Sequence, residues 1–215
     1  YMFSPPNDLN KTARFVGLEA AMKKDGKKRI GDALCTLAKG CPIEEISISD
    51  IIRTAGVNRA TFYYHFTDVP SVLRYMMESF IETYLGIFRH PAGQNSANMD
   101  AALRRQVESE LCDYVCASAD DIHFFFEPQN YFLFPALFRK HFYDYARRYR
   151  LVLARSPEDS EPIKRGIVYD YATYCLFSRY WGLLEHWAER DFSETAEDWV
   201  TILSYIAAGV ITLEG

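Results

Sequence analysis

Apolar side chains return at helical spacing along most of this chain. Val72, Leu73, Met76, Met77, Phe80, Tyr84 and Ile87 form one such series and predict a long helix to about Arg89. Pro70 suits its first turn, where a missing N–H costs no intrahelical bond. Leu103, Val107, Leu111, Tyr114 and Val115 share a face over Ala101–Ser118. A short segment, Ile122–Phe126, ends at Glu127-Pro128, and a helix follows from Leu133 to about Ala154. Two more run over Ile163–Arg190 and Glu194–Leu213, the last starting at Ser193 with Glu194 and Glu197 in its first turn. Turn residues mark loops at His90–Asn98, Ser156–Pro162 and Asp191–Ser193. Residues 1–10, with Pro5-Pro6, predict no element. Asn10–Lys24 has helical character through Ala13, Val16, Ala20 and Ala21. The expected fold is all-α.

Residues 46–66 carry the sharpest local pattern. Ser47 can cap a short helix while Asp50 reaches back, and Ile48, Ile51, Ile52 and Ala55 fall on one stripe. Gly56 can take the left-handed conformation that ends this helix. Asn58 can then cap a second helix, Arg59–His65. Two helices joined by about four residues with a Gly form a helix-turn-helix, the geometry that lays the second helix into a DNA major groove.

The residues of that second helix suit the task. Phe62 and Phe66 are four apart and point inward together, leaving Arg59, Ala60, Thr61, Tyr63, Tyr64 and His65 for the other faces. A guanidinium in the first turn fits guanine O6 and N7 bidentately, which marks Arg59 as a base reader. Thr61, Tyr63 and His65 offer donors to phosphate oxygens, and Tyr64 offers a flat surface to a thymine methyl. Ser47, Asn58 and Lys28 complete the candidate DNA contacts. Lys28 lies in a basic cluster with Lys23, Lys24, Lys27 and Arg29. The bland alternative is a helical hairpin with its polar face in water.

Residues Lys27 to about Phe80 resemble the DNA-binding domain of TetR-family transcriptional regulators. The stretch Arg29–Ala38 is similar to that family's first helix, and Ala55–Phe66 matches its Ala-Gly-Val-Ser-x-x-Thr-hydrophobic-Tyr-x-His/Tyr-Phe string, with Asn58 in place of the commoner Ser. The resemblance puts Arg59 and Ala60 at base-reading positions, Thr61 and His65 at phosphate positions, and Tyr63 and Tyr64 at mixed ones. Where the family usually has Lys near the start of the fourth helix, this chain has Val69. Backbone N–H groups of that helix end could serve a phosphate instead. The implied organisation is an extension (1–22), a three-helix DNA-binding domain (23–68), a connecting helix (69–89) and a helical effector-binding and dimerisation domain (90–215).

Charge supports this division. The chain carries a net −5, yet residues 1–66 hold ten Lys and Arg against seven Asp and Glu, while the remainder holds fourteen against twenty-two. Salt limits the reach of surface charge to roughly 8 Å, so the local field at the reading surface governs a DNA contact. Five cysteines, with Cys112 and Cys116 one helical turn apart, show no metal or disulfide spacing. No Gly-rich phosphate loop, G-x-S-x-G or H-E-x-x-H string is present, which argues against an enzyme. No cofactor and no metal are expected. Met2–Asn10 lacks the apolar segment of a signal peptide, and the longest uncharged apolar run falls short of the ~20 residues that span a bilayer. A cytoplasmic protein without membrane contact is the expectation.

The chain end suggests assembly. The last two predicted helices are apolar around much of their circumference, and such a helix needs burial on nearly all sides. Tyr171, Tyr174, Trp181, Trp199, Ile202, Ile206 and Val210 are therefore candidate contacts of a homodimer. The resemblance implies the same. A dyad would let two short helices read a palindromic operator. The aromatic-rich middle suits a pocket for a small apolar or aromatic effector, and His123, Phe126, Glu127, Tyr131 and Phe138 are its candidate contacts. The acidic body favours a neutral or cationic ligand. The reading is a dimeric repressor released by an effector. A ligand-independent DNA binder acting through a protein partner is the alternative.

Overall fold

The computed structural model describes residues 26–88, 101–130, 132–148 and 162–207, and all regular structure in them is helical. The extension and its predicted helix, the His90–Asn98 loop, the Ser156–Pro162 turn apart from Pro162, Tyr131 and Val210 lie outside the described residues. Helix α1 covers residues 26–38. A 3₁₀ turn at Ile43–Glu45 leads to α2 (Ile48–Ala55) and α3 (Arg59–His65). Then come α4 (Val69–Ile87), α5 (Ala101–Ala117), α6 (Ala119–Phe126), α7 (Leu133–Arg148), α8 (Pro162–Glu189) and α9 (Ala196–Ala207). The chain divides into two compact units, Tyr1–Met76 and Met77–Gly215, with the division inside α4.

The first unit is held by a small aliphatic and aromatic core. Ile30 and Leu34 from α1, Ile51 from α2, Phe62 from α3 and Val72 from α4 are fully buried, and Phe66 closes the set at 6% exposure. Each such side chain contributes about 1.5–3 kcal/mol when removed from water. Ile51, Phe62, Phe66 and Val72 lie at inward positions the spacing predicts, whereas Ile48 and Ile52 of the expected α2 stripe are only half-buried.

The second unit is packed with rings. Phe125 and Phe134 lie 5.0 Å apart between centroids, Phe80 stacks on Tyr114 at 5.4 Å, and Trp181 meets Phe138 at 5.6 Å. Asn130 is buried in the α6–α7 corner, donating from Nδ2 to the Phe124 carbonyl at 2.9 Å. Its carbonyl accepts from Leu133 N at 3.0 Å. Asn130 thus braces a turn.

The turn between α8 and α9 is unusual. Asp191 and Phe192 both have left-handed φ, 58° and 51°, without being glycine. Such conformations cost on the order of 1–3 kcal/mol each and persist where the surroundings hold them. Here Phe192 N donates to the Trp187 carbonyl at 3.0 Å, and the Phe192 ring meets the rings of Trp187 at 5.5 Å and His123 at 5.0 Å. The start of α9 differs from the predicted one. Thr195, not Ser193, caps the helix: its Oγ1 accepts from Asp198 N at 3.2 Å, and Asp198 Oδ2 accepts from Thr195 N at 3.2 Å. This reciprocal box satisfies two orphan donors at once, which a lone Ser193 could not.

Candidate nucleic-acid interface

The helix-turn-helix is fixed by its own caps. Asp50 N donates to Ser47 Oγ at 3.2 Å, Ser47 N donates to Asp50 Oδ2 at 3.3 Å, and Ser47 Oγ donates to the same oxygen at 2.6 Å. The Ser47 hydroxyl holds the Asp50 carboxyl below the ordinary carboxylate range, partly opposed by desolvation, with Arg53 assisting from 2.6 Å. Gly56 ends α2 at φ 60° and ψ 36°. Val57 N then donates back to the Ile52 carbonyl at 3.2 Å, the bond that closes a left-handed helix end.

Arg29 has a role that sequence reasoning missed. Its guanidinium donates to the carbonyls of Ala55 at 2.5 Å and Gly56 at 2.8 Å, so α1 holds the C-terminal end of α2. A cation there satisfies orphan carbonyls and meets the negative end of the helix dipole. By sequence alone Arg29 is one member of a basic cluster with Lys28. The sequence signal for its real task is faint, since the two partners lie 26 and 27 residues away.

Asn58 starts α3 by accepting from Thr61 N at 2.7 Å. The same oxygen accepts from Thr61 Oγ1 at 2.9 Å. The hydroxyl protons of Thr61 and Ser47 are therefore both committed within the chain, and neither is a ready donor to phosphate. Asn58 is likewise occupied as a cap. Gly26 explains the fit of α1 against α3: a Cβ there would stand 3.2 Å from His65 Nε2 and 3.7 Å from Thr61 Cγ2. His65 is half-buried in this packing, its ring 4.9 Å from that of Tyr64.

What remains outward is a compact face. Arg59 and Ala60 are exposed, as are Tyr63 at 48% and Tyr64 at 64%. The Arg59 guanidinium lies 5.6 Å over the Tyr63 ring and donates to its hydroxyl at 3.4 Å. This leaves the Tyr63 hydroxyl proton for an acceptor outside the chain, and it pre-orders Arg59. No acidic residue occurs in Arg59–His65. Lys28 is exposed on α1, and Lys27 lies 5.0 Å over the Tyr75 ring. At the start of α4, Asp68 Oδ1 accepts from Ser71 N at 2.8 Å, and Ser71 Oγ accepts from Thr67 N and Asp68 N, both at 3.2 Å. These N–H groups are taken, so the backbone contact envisaged near Val69 is largely closed off by the chain's own side chains.

The candidate effector contacts do not converge. Phe138 is fully buried and Phe126 half-buried, both against Trp181. His123 instead meets Asp191 Oδ1 at 3.0 Å beside Phe192, and Glu127 accepts from Gln129 at 2.5 Å. A cleft lies elsewhere in the second unit, lined by Tyr84, Cys112, Tyr180, Trp187, Trp199 and neighbouring aliphatic groups. Its cavity volume is ≈ 20 Å³, with ≈ 320 Å³ of atom-free space when the part open to solvent is counted. The closed part has room for about one water.

The candidate dimer contacts separate into two sets. Trp199 is buried at 6% within its own chain, 4.3 Å from Trp187, and Trp181 is half-buried in the ring cluster. Both make ring contacts within their own chain, and Trp181 keeps part of its surface exposed. Tyr171 and Tyr174 are exposed at 68% and 52%, and with Ile167 and Val168 they form an outward apolar stripe on α8. Ile202 is half-buried.

Among the described residues no helix is long and apolar enough to cross a membrane, and no group of three or more His, Cys, Asp or Glu could hold a metal ion. No protein-family model and no curated protein matches the chain. Among solved structures, the chain is similar to a TetR transcriptional regulator from Streptococcus agalactiae 2603V, at 18% identity and a TM-score of 0.48 over 87% of this chain and 98% of that one.

Proposed function

We propose that this protein is a TetR-like, sequence-specific DNA-binding transcriptional regulator. The observation that carries the reading is the outward face of α3, where Arg59, Ala60, Tyr63 and Tyr64 stand together on a helix capped at its start by Asn58. Arg59 reads a guanine edge, Tyr63 gives its hydroxyl proton to phosphate, and Tyr64 lies against a base methyl. Lys28 adds a phosphate contact that sets salt dependence without sequence preference.

One helix of seven residues touches too few base pairs to specify a genomic site. A homodimer resolves this, with a palindromic operator read by two copies of α3. The α8 stripe of Ile167, Val168, Tyr171 and Tyr174 supports a second copy as partner, since a contiguous exposed apolar patch marks an interaction surface. The regulator acts as a repressor released by a small molecule. Such a ligand weakens operator binding only by its differential affinity for the two spacings of the reading heads. Phe80 and Tyr84 on α4 are placed in the body to pass on the change.

Selection of bound duplexes from a random pool tests the proposal: a palindrome with a fixed half-site spacing is expected. On that duplex, Arg59→Ala costs about 1–3 kcal/mol and relaxes preference at one base pair per half-site. Equal losses on selected and random DNA would remove Arg59 from base reading.

A further inference from the structure

Three features near the α8–α9 turn lie outside the DNA-reading geometry. The indole N–H groups of Trp187 and Trp199 are buried and have no hydrogen-bond partner. Both residues line the one cleft described above. The two rings are 4.3 Å apart, so both residues belong to one wall of that cleft. A buried donor without an acceptor costs roughly 1–3 kcal/mol, and a native protein rarely holds two side by side without something to meet them.

The rest of the lining states which ligand fits. Its walls are Leu111, Leu203 and other apolar side chains, together with the rings of Tyr84 and Tyr180. No Lys, Arg or His is among the lining residues, so an anion would find no countercharge there. Burial pushes the Cys112 thiol up to about 12 and raises the Tyr84 hydroxyl above its ordinary value, so both stay uncharged. The carboxylates of Asp113 and Glu108 lie close enough to Cys112 to raise it as well, which adds a field hostile to negative charge. A low-polarity site with donors and no cation selects neutral acceptors.

We propose that the cleft between α4, α5, α8 and α9 binds a small, uncharged, planar molecule whose hydrogen-bond acceptor meets the indole N–H groups of Trp187 and Trp199. The closed cavity admits only about a water, so the ligand enters by widening the solvent-open part of the cleft between its aliphatic walls. The site gives a chemical class to the effector of the proposed regulator and rests on that reading for its regulatory meaning. Its occupancy is measurable without DNA.

The chain has three tryptophans, and Trp181 sits outside the lining, so its indole signal is an internal reference. Protein labelled with ¹⁵N at tryptophan is titrated with acetophenone, with ethylbenzene as the near-isostere lacking an acceptor, and with benzoate as the anion. Acetophenone is expected to move the Trp187 and Trp199 N–H signals downfield in a saturable way while Trp181 stays in place. Loss of the hydrogen bond should make ethylbenzene about fivefold weaker. Benzoate should be weaker still. Trp199→Phe keeps an aromatic ring, smaller than the indole, and removes one donor, so acetophenone weakens relative to ethylbenzene. Leu203→Phe, which fills the cleft and keeps both indoles, should abolish both probes and covers the case of a misfolded Trp199 variant. Equal affinity for acetophenone and ethylbenzene, or no saturable shift with any probe, overturns the proposal. A palindrome emerging from duplex selection without probe binding would sink the ligand site alone. Probe binding without a palindrome would sink the DNA reading alone.

Discussion

The two units of this chain are stabilised by different means. In the first, side-chain caps start each of the three helices α2, α3 and α4. Ser47 and Asp50 start α2, Gly56 and Arg29 end it, Asn58 starts α3, and Asp68 with Ser71 starts α4. In the second, the described contacts are dominated by rings, with polar bracing at corners such as Asn130 and the Thr195–Asp198 box and between helices where the Tyr114 and Tyr169 hydroxyls donate to the Phe80 and Ala146 carbonyls. The lesson concerns where precision is needed. A surface that reads base edges must hold its donors to within a fraction of an ångström, and directional caps do that. A body whose interior is mostly filled by side chains can rely on aromatic area, which is strong and far less directional.

Deleting a core ring is the strongest way to probe the comparison. Phe62→Ala removes a fully buried side chain from the first unit and should cost about 3–5 kcal/mol, read by chemical denaturation. A loss near 1 kcal/mol would mean the caps carry more of the unit than its core does. Next comes Arg29→Met, which keeps most of the length and removes the charged donors to Ala55 and Gly56. About 1.5–3 kcal/mol is expected for hydrogen bonds from a charged group. If stability were unchanged while DNA affinity fell, Arg29 would be a phosphate contact after all.

The two capping boxes offer a matched pair across the units. Ser47→Ala and Thr195→Ala should each cost about 1 kcal/mol by the same measurement. Only Ser47→Ala should also weaken DNA binding, because α2 supports α3. The smallest effect is on pH. Asp50 is held low by the Ser47 hydroxyl and Asp198 by that of Thr195. A carboxyl lowered by folding stabilises the folded state above its ordinary value of 3.8, and the gain fades as pH falls through the folded value. Carboxyl titration by NMR should show both below 3.8, and Ser47→Ala should return Asp50 alone toward it. An unmoved Asp50 would exclude the hydroxyl as the cause.

How much of this was legible beforehand follows from the reach of each interaction. The box at Ser47, the left-handed Gly56 and the Asn58 cap act over three or four residues, and the spacing alone located them. The same logic misplaced the start of α9 by two residues, because Ser193, Glu194 and Glu197 mimic a cap that Thr195 and Asp198 actually make. Arg29 escaped notice because its partners are remote in the chain. The candidate effector contacts were chosen as polar groups beside aromatic ones, and their separation into a ring cluster and a surface clasp depends on long-range packing.

By itself the sequence determined the helices, the turn chemistry of residues 46–66 and the inward stripe through Phe62 and Phe66. Those features rest on periodicity and on hydrogen bonds between near neighbours. Only the tertiary structure decided which hydroxyls keep a proton to offer, which tryptophans pack against each other, and where a cleft lined by two of them lies. These depend on which distant side chains fill the space around a group, and no local spacing encodes that.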